Sequence, residues 1–202
     1  MTSPLPPVGY TNATMPPQVH TLLITGMPAS GKTSFGDWLR DNRGYVHVDL
    51  DAADCLKRAG LPPFWTEKER VAALDTGRLR EFVRHLRTVG KPSVLTWTFP
   101  TDLVDFAREM TSFGVVAWWF EADRLASRQK YASRNTVLRN GVYSRGKPDT
   151  TLFDRYVGAV NSNWARIAPI FGERIIRALG ADGRFVDPVS ICDRLQAAAK
   201  AA

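Results

Sequence analysis

Cysteine is scarce in this chain. Cys55 and Cys192 are the only two in 202 residues, and they form no Cys-x-x-Cys pair. That excludes a disulfide-built scaffold and a cysteine-ligated zinc site, and both thiols are expected to be reduced. No apolar run approaches the roughly 20 residues that a membrane span requires. The N-terminus has no charged segment followed by an apolar one, so no secretory signal is expected and a cytoplasmic location is. Acidic residues are absent between Arg124 and Lys147, where seven basic ones stand: Arg124, Arg128, Lys130, Arg134, Arg139, Arg145 and Lys147. Of 27 basic residues that leaves 20 elsewhere, against 20 acidic ones, so this single stretch carries the whole net charge of +7. A solvated basic face is one reading, and a phosphate-handling segment is the other.

What is present suits one globular α/β domain. Apolar content of 44% and charged content of 23% are ordinary for a packed chain of this length. Residues 1–19 contain Pro4, Pro6, Pro7, Pro16 and Pro17 without periodicity and read as a flexible arm. Residues 20–202 read as the domain. Apolar strand-like runs at 21–25, 45–48, 93–98, 115–120 and 174–179 alternate with helical stretches at 33–42, 52–59, 66–88, 101–113, 122–135, 151–168 and 188–199. Thr66 with Glu69 forms a capping-box pattern at the start of the longest helix. This alternation predicts a parallel sheet with helices on both faces, and a site beyond the carboxyl ends of its strands.

The most specific motif is Gly26-Met27-Pro28-Ala29-Ser30-Gly31-Lys32-Thr33, a complete GxxxxGK[ST] pattern. It follows the apolar run Thr21–Thr25 and precedes a helix-compatible stretch, which is the context the motif requires. Its glycines let successive backbone N–H groups converge on one anion, and the next helix adds its positive end. A nucleoside triphosphate is therefore expected against Gly26, Ala29, Ser30, Gly31, Lys32, Thr33 and Ser34. Lys32 would reach the β- and γ-phosphates, and the Thr33 hydroxyl would ligate Mg²⁺.

The second strand ends in Val48-Asp49-Leu50-Asp51, whose alternation sets both carboxylates on one side near the phosphate loop. One could accept the proton of an attacking hydroxyl while the other orients substrate or holds the metal through water. A helix N-cap at Asp51 is the structural alternative. Arg128 and Arg134 follow the fourth strand, six residues apart and so not on one helical face. Gly141, Gly146 and Pro148 then punctuate a loop. Together residues 122–150 read as a basic lid that stabilises charge on a transferring group.

The phosphate loop, the Asp49-Leu50-Asp51 strand end and the arginine-rich segment followed by Thr151-Leu152-Phe153-Asp154-Arg155-Tyr156 resemble the adenylate-kinase-like P-loop phosphotransferases. The likeness is closest to the 5′-hydroxyl polynucleotide kinase branch and the phage kinases of 5-hydroxymethyluracil in DNA. Zeta-toxin-like and antibiotic phosphotransferases are similar in the same three elements. The resemblance implies a three-layer P-loop kinase sandwich around a five-stranded parallel sheet. It also implies ATP and Mg²⁺ as cofactors, Asp51 as general base, and Lys32, Arg128 and Arg134 as the charge-stabilising side chains. The third strand, Ser93-Val94-Leu95-Thr96-Trp97-Thr98, departs from the pattern by lacking an acidic residue. Thr96 or Thr98 acting through water, or Asp49 and Asp51, would take its place.

Among the aromatic residues, Trp118 and Phe120 read as core, whereas Trp65 and Trp97 are candidates for stacking on the acceptor. The favoured acceptor is a nucleic acid hydroxyl, a 5′-OH end or a hydroxymethylated pyrimidine, because the basic excess suits a polyanion. A small-molecule kinase acting on a nucleoside, sugar or antibiotic is the alternative. A nucleotide-gated binding module or NTPase is the third reading; the missing acidic third-strand end and the lack of an Asn-Lys-x-Asp motif count against it.

Overall fold

The computed structural model describes residues 21–76, 79–98, 104–139 and 142–201. The expected arm, residues 1–19, lies outside them. Five strands form one all-parallel sheet in the order β2-β3-β1-β4-β7. They are β1 (Thr21–Gly26), β2 (Val46–Asp49), β3 (Ser93–Thr96), β4 (Val115–Ala122) and β7 (Ile175–Leu179). Their near-continuous apolar sequences follow from burial on both faces. Alternation sorts the side chains. Leu23, Val48, Leu95 and Trp119 join one core cluster, and Leu22, Ile24, Val94, Trp118 and Phe120 join the other.

Helices α1 (Lys32–Arg43) and α8 (Pro188–Ala201) cover the second cluster through Phe35, Leu39, Ile191 and Leu195. The first is covered by α3 (Glu67–Thr76), α4 (Arg80–Thr88), α5 (Val104–Ser112), α6 (Arg124–Ala132) and α7 (Thr150–Phe171). The short α2 (Cys55–Arg58) follows β2. Register aligns the ends that matter: Ile24 and Asp49 both pair with Thr96, and Gly26 pairs with Phe120. The phosphate loop, the second-strand carboxylates and the third-strand terminus therefore emerge side by side.

Two elements differ from the sequence reading. The single helix expected over 66–88 is two helices, α3 and α4, with the weak helix former Gly77 in the sequence between them. The capping box at its start is formed: the Thr66 N–H donates to Glu69 Oε2 at 2.7 Å, and the Glu69 N–H donates to Thr66 Oγ1 at 3.3 Å. The lid is not wholly helical. After α6, β5 (Thr136–Arg139) pairs antiparallel with β6 (Val142–Arg145). Its sequence cue is Asn140-Gly141 between β-branched and aromatic residues, the strongest short hairpin signal.

Candidate active site

The loop between β1 and α1 is shaped by backbone conformations that few residues tolerate. Gly26 has φ +121, and a Cβ there would lie 2.2 Å from the Phe120 carbonyl oxygen. Gly31 has φ +92, and Ala29 has φ 57, a strained setting for a residue with a side chain. The result is an open turn at the start of α1, whose first-turn N–H groups have no intrahelical acceptor. Lys32 is 6% exposed and donates from Nζ to the Met27 carbonyl at 2.7 Å and the Gly26 carbonyl at 3.1 Å. Burial lowers its pKa to about 8; the charges of Asp51 and Asp49 oppose that shift, and Arg134 reinforces it.

The second-strand carboxylates face this loop. Thr33 Oγ1 lies 3.5 Å from Asp49 Oδ2. The Asp51 N–H donates to Asp49 Oδ1 at 3.3 Å, and the Thr98 N–H approaches both Asp51 oxygens at 3.3 and 3.4 Å. Beneath them Arg70, 4% exposed, donates from Nη1 to the Leu50 carbonyl at 2.7 Å while its fork engages Glu67. Hydrogen bonds thus pin each of the three residues Asp49, Leu50 and Asp51. Asp51 does not cap a helix; the residue at the start of α2 is Asp54. Enclosure, with Asp49 next to it, raises the Asp51 pKa to about 6, the opposing charge of Lys32 notwithstanding. The hydroxyl-and-carboxylate corner at Thr33 and Asp49 is all hard oxygen and suits Mg²⁺ held jointly with substrate phosphate. No group of three or more His, Cys, Asp or Glu side chains that could hold a metal converges among the described residues.

Thr96 is turned away from the site. Its Oγ1 is 2.9 Å from His47 Nε2, and His47 Nδ1 is 3.0 Å from Asp37 Oδ1 on α1. The expectation that Thr96 assists a metal is therefore corrected: β3 alternation commits it to the α1 side. Thr98 does reach the site, through its backbone N–H. With Thr33–Asp49, the Asp37–His47 contact makes a second rung between α1 and β2. Gly36 permits that approach, since a Cβ there would meet the His47 ring at 2.4 Å.

A cavity of about 950 Å³ joins these groups to the lid. Ala29, Ser30, Gly31, Lys32, Thr33, Ser34, Asp49, Asp51 and Arg134 of the expected set all line it. Arg128 does not. Its guanidinium is engaged by Asp154 at 2.8 and 2.9 Å on the outer face of α6 and α7, as the six-residue separation from Arg134 implied. Trp65 and Trp97 do not line it either, which corrects their stacking roles. Trp65 stacks on Phe82 at 4.3 Å, and Trp97, 3% exposed, packs edge-on to Phe106 at 5.3 Å. Their large apolar rings are spent on the core.

Several wall residues escaped the sequence reading. Tyr156 lies within the field of Asp51, and burial with that charge pushes its phenol up, so it stays an O–H donor. Its one cue is its i, i+3 relation to Phe153 on α7, which also lines the cavity. Arg58 and Tyr131 carry no cue, whereas Lys147, also on the wall, belongs to the basic stretch read as a lid. Lys130 sits 4.7 Å over the ring of Phe185, which abuts Gly31. The Ser127 hydroxyl donates to the Pro28 carbonyl and ties α6 to the phosphate loop.

No protein-family model and no curated protein matches the sequence. Solved structures do match. A shikimate kinase from Bacteroides thetaiotaomicron aligns with a TM-score of 0.53 at 18% identity, over 89% of this chain and 98% of that one. A gluconokinase from Sinorhizobium meliloti 1021 aligns with 0.52 at 16%, over 89% and 91%. The fold is that of the P-loop kinases. At these identities the likeness shows the architecture. Neither match is a polynucleotide kinase, so the nucleic acid branch expected from the sequence gains no support. No helix among the described residues is long and apolar enough to cross a membrane.

Proposed function

We propose that this chain is an ATP-dependent kinase that phosphorylates a hydroxyl group of a small molecule. The observation that carries this reading is Asp51, a carboxylate anchored by the Thr98 N–H on the same wall as Lys32 and Thr33, with its pKa raised to about 6. A base tuned towards neutrality suits proton removal from an alcohol, whereas a surface carboxylate would be too weak. Asp51 accepts the hydroxyl proton as the acceptor oxygen bonds to the γ-phosphorus, and the bond to the bridging oxygen of the β-phosphate breaks. Lys32, the loop N–H groups and Arg134 meet the charge that develops. Mg²⁺ at Thr33 and Asp49 would neutralise phosphate charge. Arg58, Thr98 and Tyr156, on the Asp51 side, would orient the acceptor.

The small-molecule acceptor is favoured over a nucleic acid for two reasons. Two of the solved structures that share the fold are named as a shikimate kinase and a gluconokinase. Of the two tryptophans that would have stacked bases, Trp97 lies in the core and half-buried Trp65 packs against it on Phe82. Transfer of labelled γ-phosphate decides the matter, screened over hydroxy acids, sugars, nucleosides and aminoglycoside-type alcohols, with 5′-OH and hydroxymethylated DNA as separate arms. Transfer to a small alcohol, lost in Asp51→Asn with ATP binding retained, is the expected result. Full turnover by Asp51→Asn, or transfer to DNA alone, overturns it.

A further inference from the structure

Behind the phosphate loop the end of β4 opens a second cavity, of about 350 Å³. This is the lower end of the size at which small ligands are held. Its floor is apolar, formed by Met27, Ala122 and Val160. Its wall carries the indoles of Trp119 and Trp164, 5.7 Å apart and inclined at 62°. Two side chains of opposite charge, Glu121 and Arg124, complete it. In a regular strand consecutive residues face opposite sides, so Glu121 and Ala122 could not share one cavity. The β4–β7 register shifts between these two residues, and both line it. Irregularities of this kind re-aim side chains and gather near functional sites. Asp123 then caps α6 by accepting from the Ala126 N–H, which sets Arg124 at the same opening. Arg124 is held to α7 by its hydrogen bond to Asn161. The Glu121 carboxylate has no hydrogen bond or ion pair among the described residues.

We propose that this cavity is a second ligand site for a small zwitterion of the α-amino acid class, coupled to the phosphate loop. The ammonium group lies at Glu121 beside the Trp164 indole, the carboxylate at Arg124, and the apolar side chain over Met27 and Val160. Met27 is the link. It lines this cavity, its carbonyl accepts from Lys32 Nζ at 2.7 Å, and its N–H donates to the Phe120 carbonyl at 3.0 Å. A ligand that orders Met27 changes the loop's affinity for triphosphate, and triphosphate changes the affinity for that ligand by the same factor.

Calorimetric titration of the full chain with L-phenylalanine tests the site, with phenethylamine and 3-phenylpropionate as probes bearing one charge each. Saturable binding with a Kd of about 1 mM or below is expected, with each single-charge probe at least about tenfold weaker. Glu121→Gln should close the gap between L-phenylalanine and 3-phenylpropionate, and Arg124→Gln the gap to phenethylamine. A general folding defect does not produce two opposite changes in preference. Absence of saturable binding, equal binding of the three probes, or indifference to both substitutions overturns the site. The titration needs no nucleotide, so it stands even if the main cavity holds no triphosphate. Repeating it with ATP present should shift the Kd by about fivefold or more, and an unchanged value overturns the coupling.

Discussion

The phosphate loop and the basic stretch after β4 meet across one cavity, yet they present positive charge by opposite means. The loop uses backbone: Gly26 and Gly31 take positive φ, Gly26 sits against Phe120 with no room for a side chain, and Lys32 is folded back onto loop carbonyls. The basic stretch uses side chains, and three of those described have other partners. Arg124 holds Asn161, Arg128 holds Asp154, and Lys130 lies over Phe185. Arg134 is the member whose charge is felt at Lys32. Sequence density of arginine therefore overstates the number that serve the site. A backbone cradle is all or nothing, whereas a side-chain lid is divisible.

The sharpest way to break this contrast is Gly26→Ala. The added Cβ meets a backbone carbonyl that cannot retreat without parting β1 from β4, so a loss of about 4 kcal/mol or more in urea unfolding is expected, with ATP binding abolished. Gly44→Ala is the control: its φ is +70 but nothing lies within 4 Å, so only conformational strain of about 1 kcal/mol applies. Similar losses for the two would mean that the loop is no more constrained than an ordinary helix end.

Next in size is Asp51→Asn, which should lower kcat by about 10²- to 10⁴-fold with ATP affinity nearly intact. For the native chain, kcat/KM should rise with pH through about 6 as Asp51 ionises and fall above about 8 as Lys32 loses its proton. The acid limb should vanish in Asp51→Asn. The sign for stability is the reverse of that for activity. A carboxyl whose folded pKa is raised contributes stability below its ordinary range and loses it as pH rises through about 6. Asp51→Asn should therefore unfold at a higher urea concentration at pH 7, by about 1–2 kcal/mol, while being inactive.

The same contrast explains what could be read in advance. The parallel sheet, the loop Gly26–Thr33 and the pairing of Asp49 with Asp51 were legible because each follows from local rules: apolar runs, glycine geometry, period-two alternation. Tyr156, Arg58 and Phe185 were not. Each reaches the cavity through the packing of a separate element, and a lone tyrosine, arginine or phenylalanine carries no local signature. Trp65 and Trp97 misled for the same reason, since a tryptophan in a loop or at a strand end is equally suited to packing on a core, and here Phe82 and Phe106 claimed them. The β5–β6 hairpin is a different case: its Asn140-Gly141 cue is present in the sequence, but Gly141, Gly146 and Pro148 together read equally well as the punctuation of a loop.

The smallest expected effects separate the two arginines first expected to act together. Arg134→Ala should cut kcat by about 10- to 10³-fold with a lesser change in KM, because its guanidinium lines the cavity and acts on the charge that develops there. Arg128→Ala should change kcat less than about tenfold, because its fork is spent on Asp154 at the solvent face and exposed pairs contribute little. A charge-reversing exchange, Arg128→Asp with Asp154→Arg, tests which description holds. If Arg128 serves only to join α6 to α7, the double variant recovers whatever each single change loses. If Arg128 swings onto the phosphates during turnover, the exchange leaves a carboxylate facing them, and kcat falls as far as it does in Arg134→Ala.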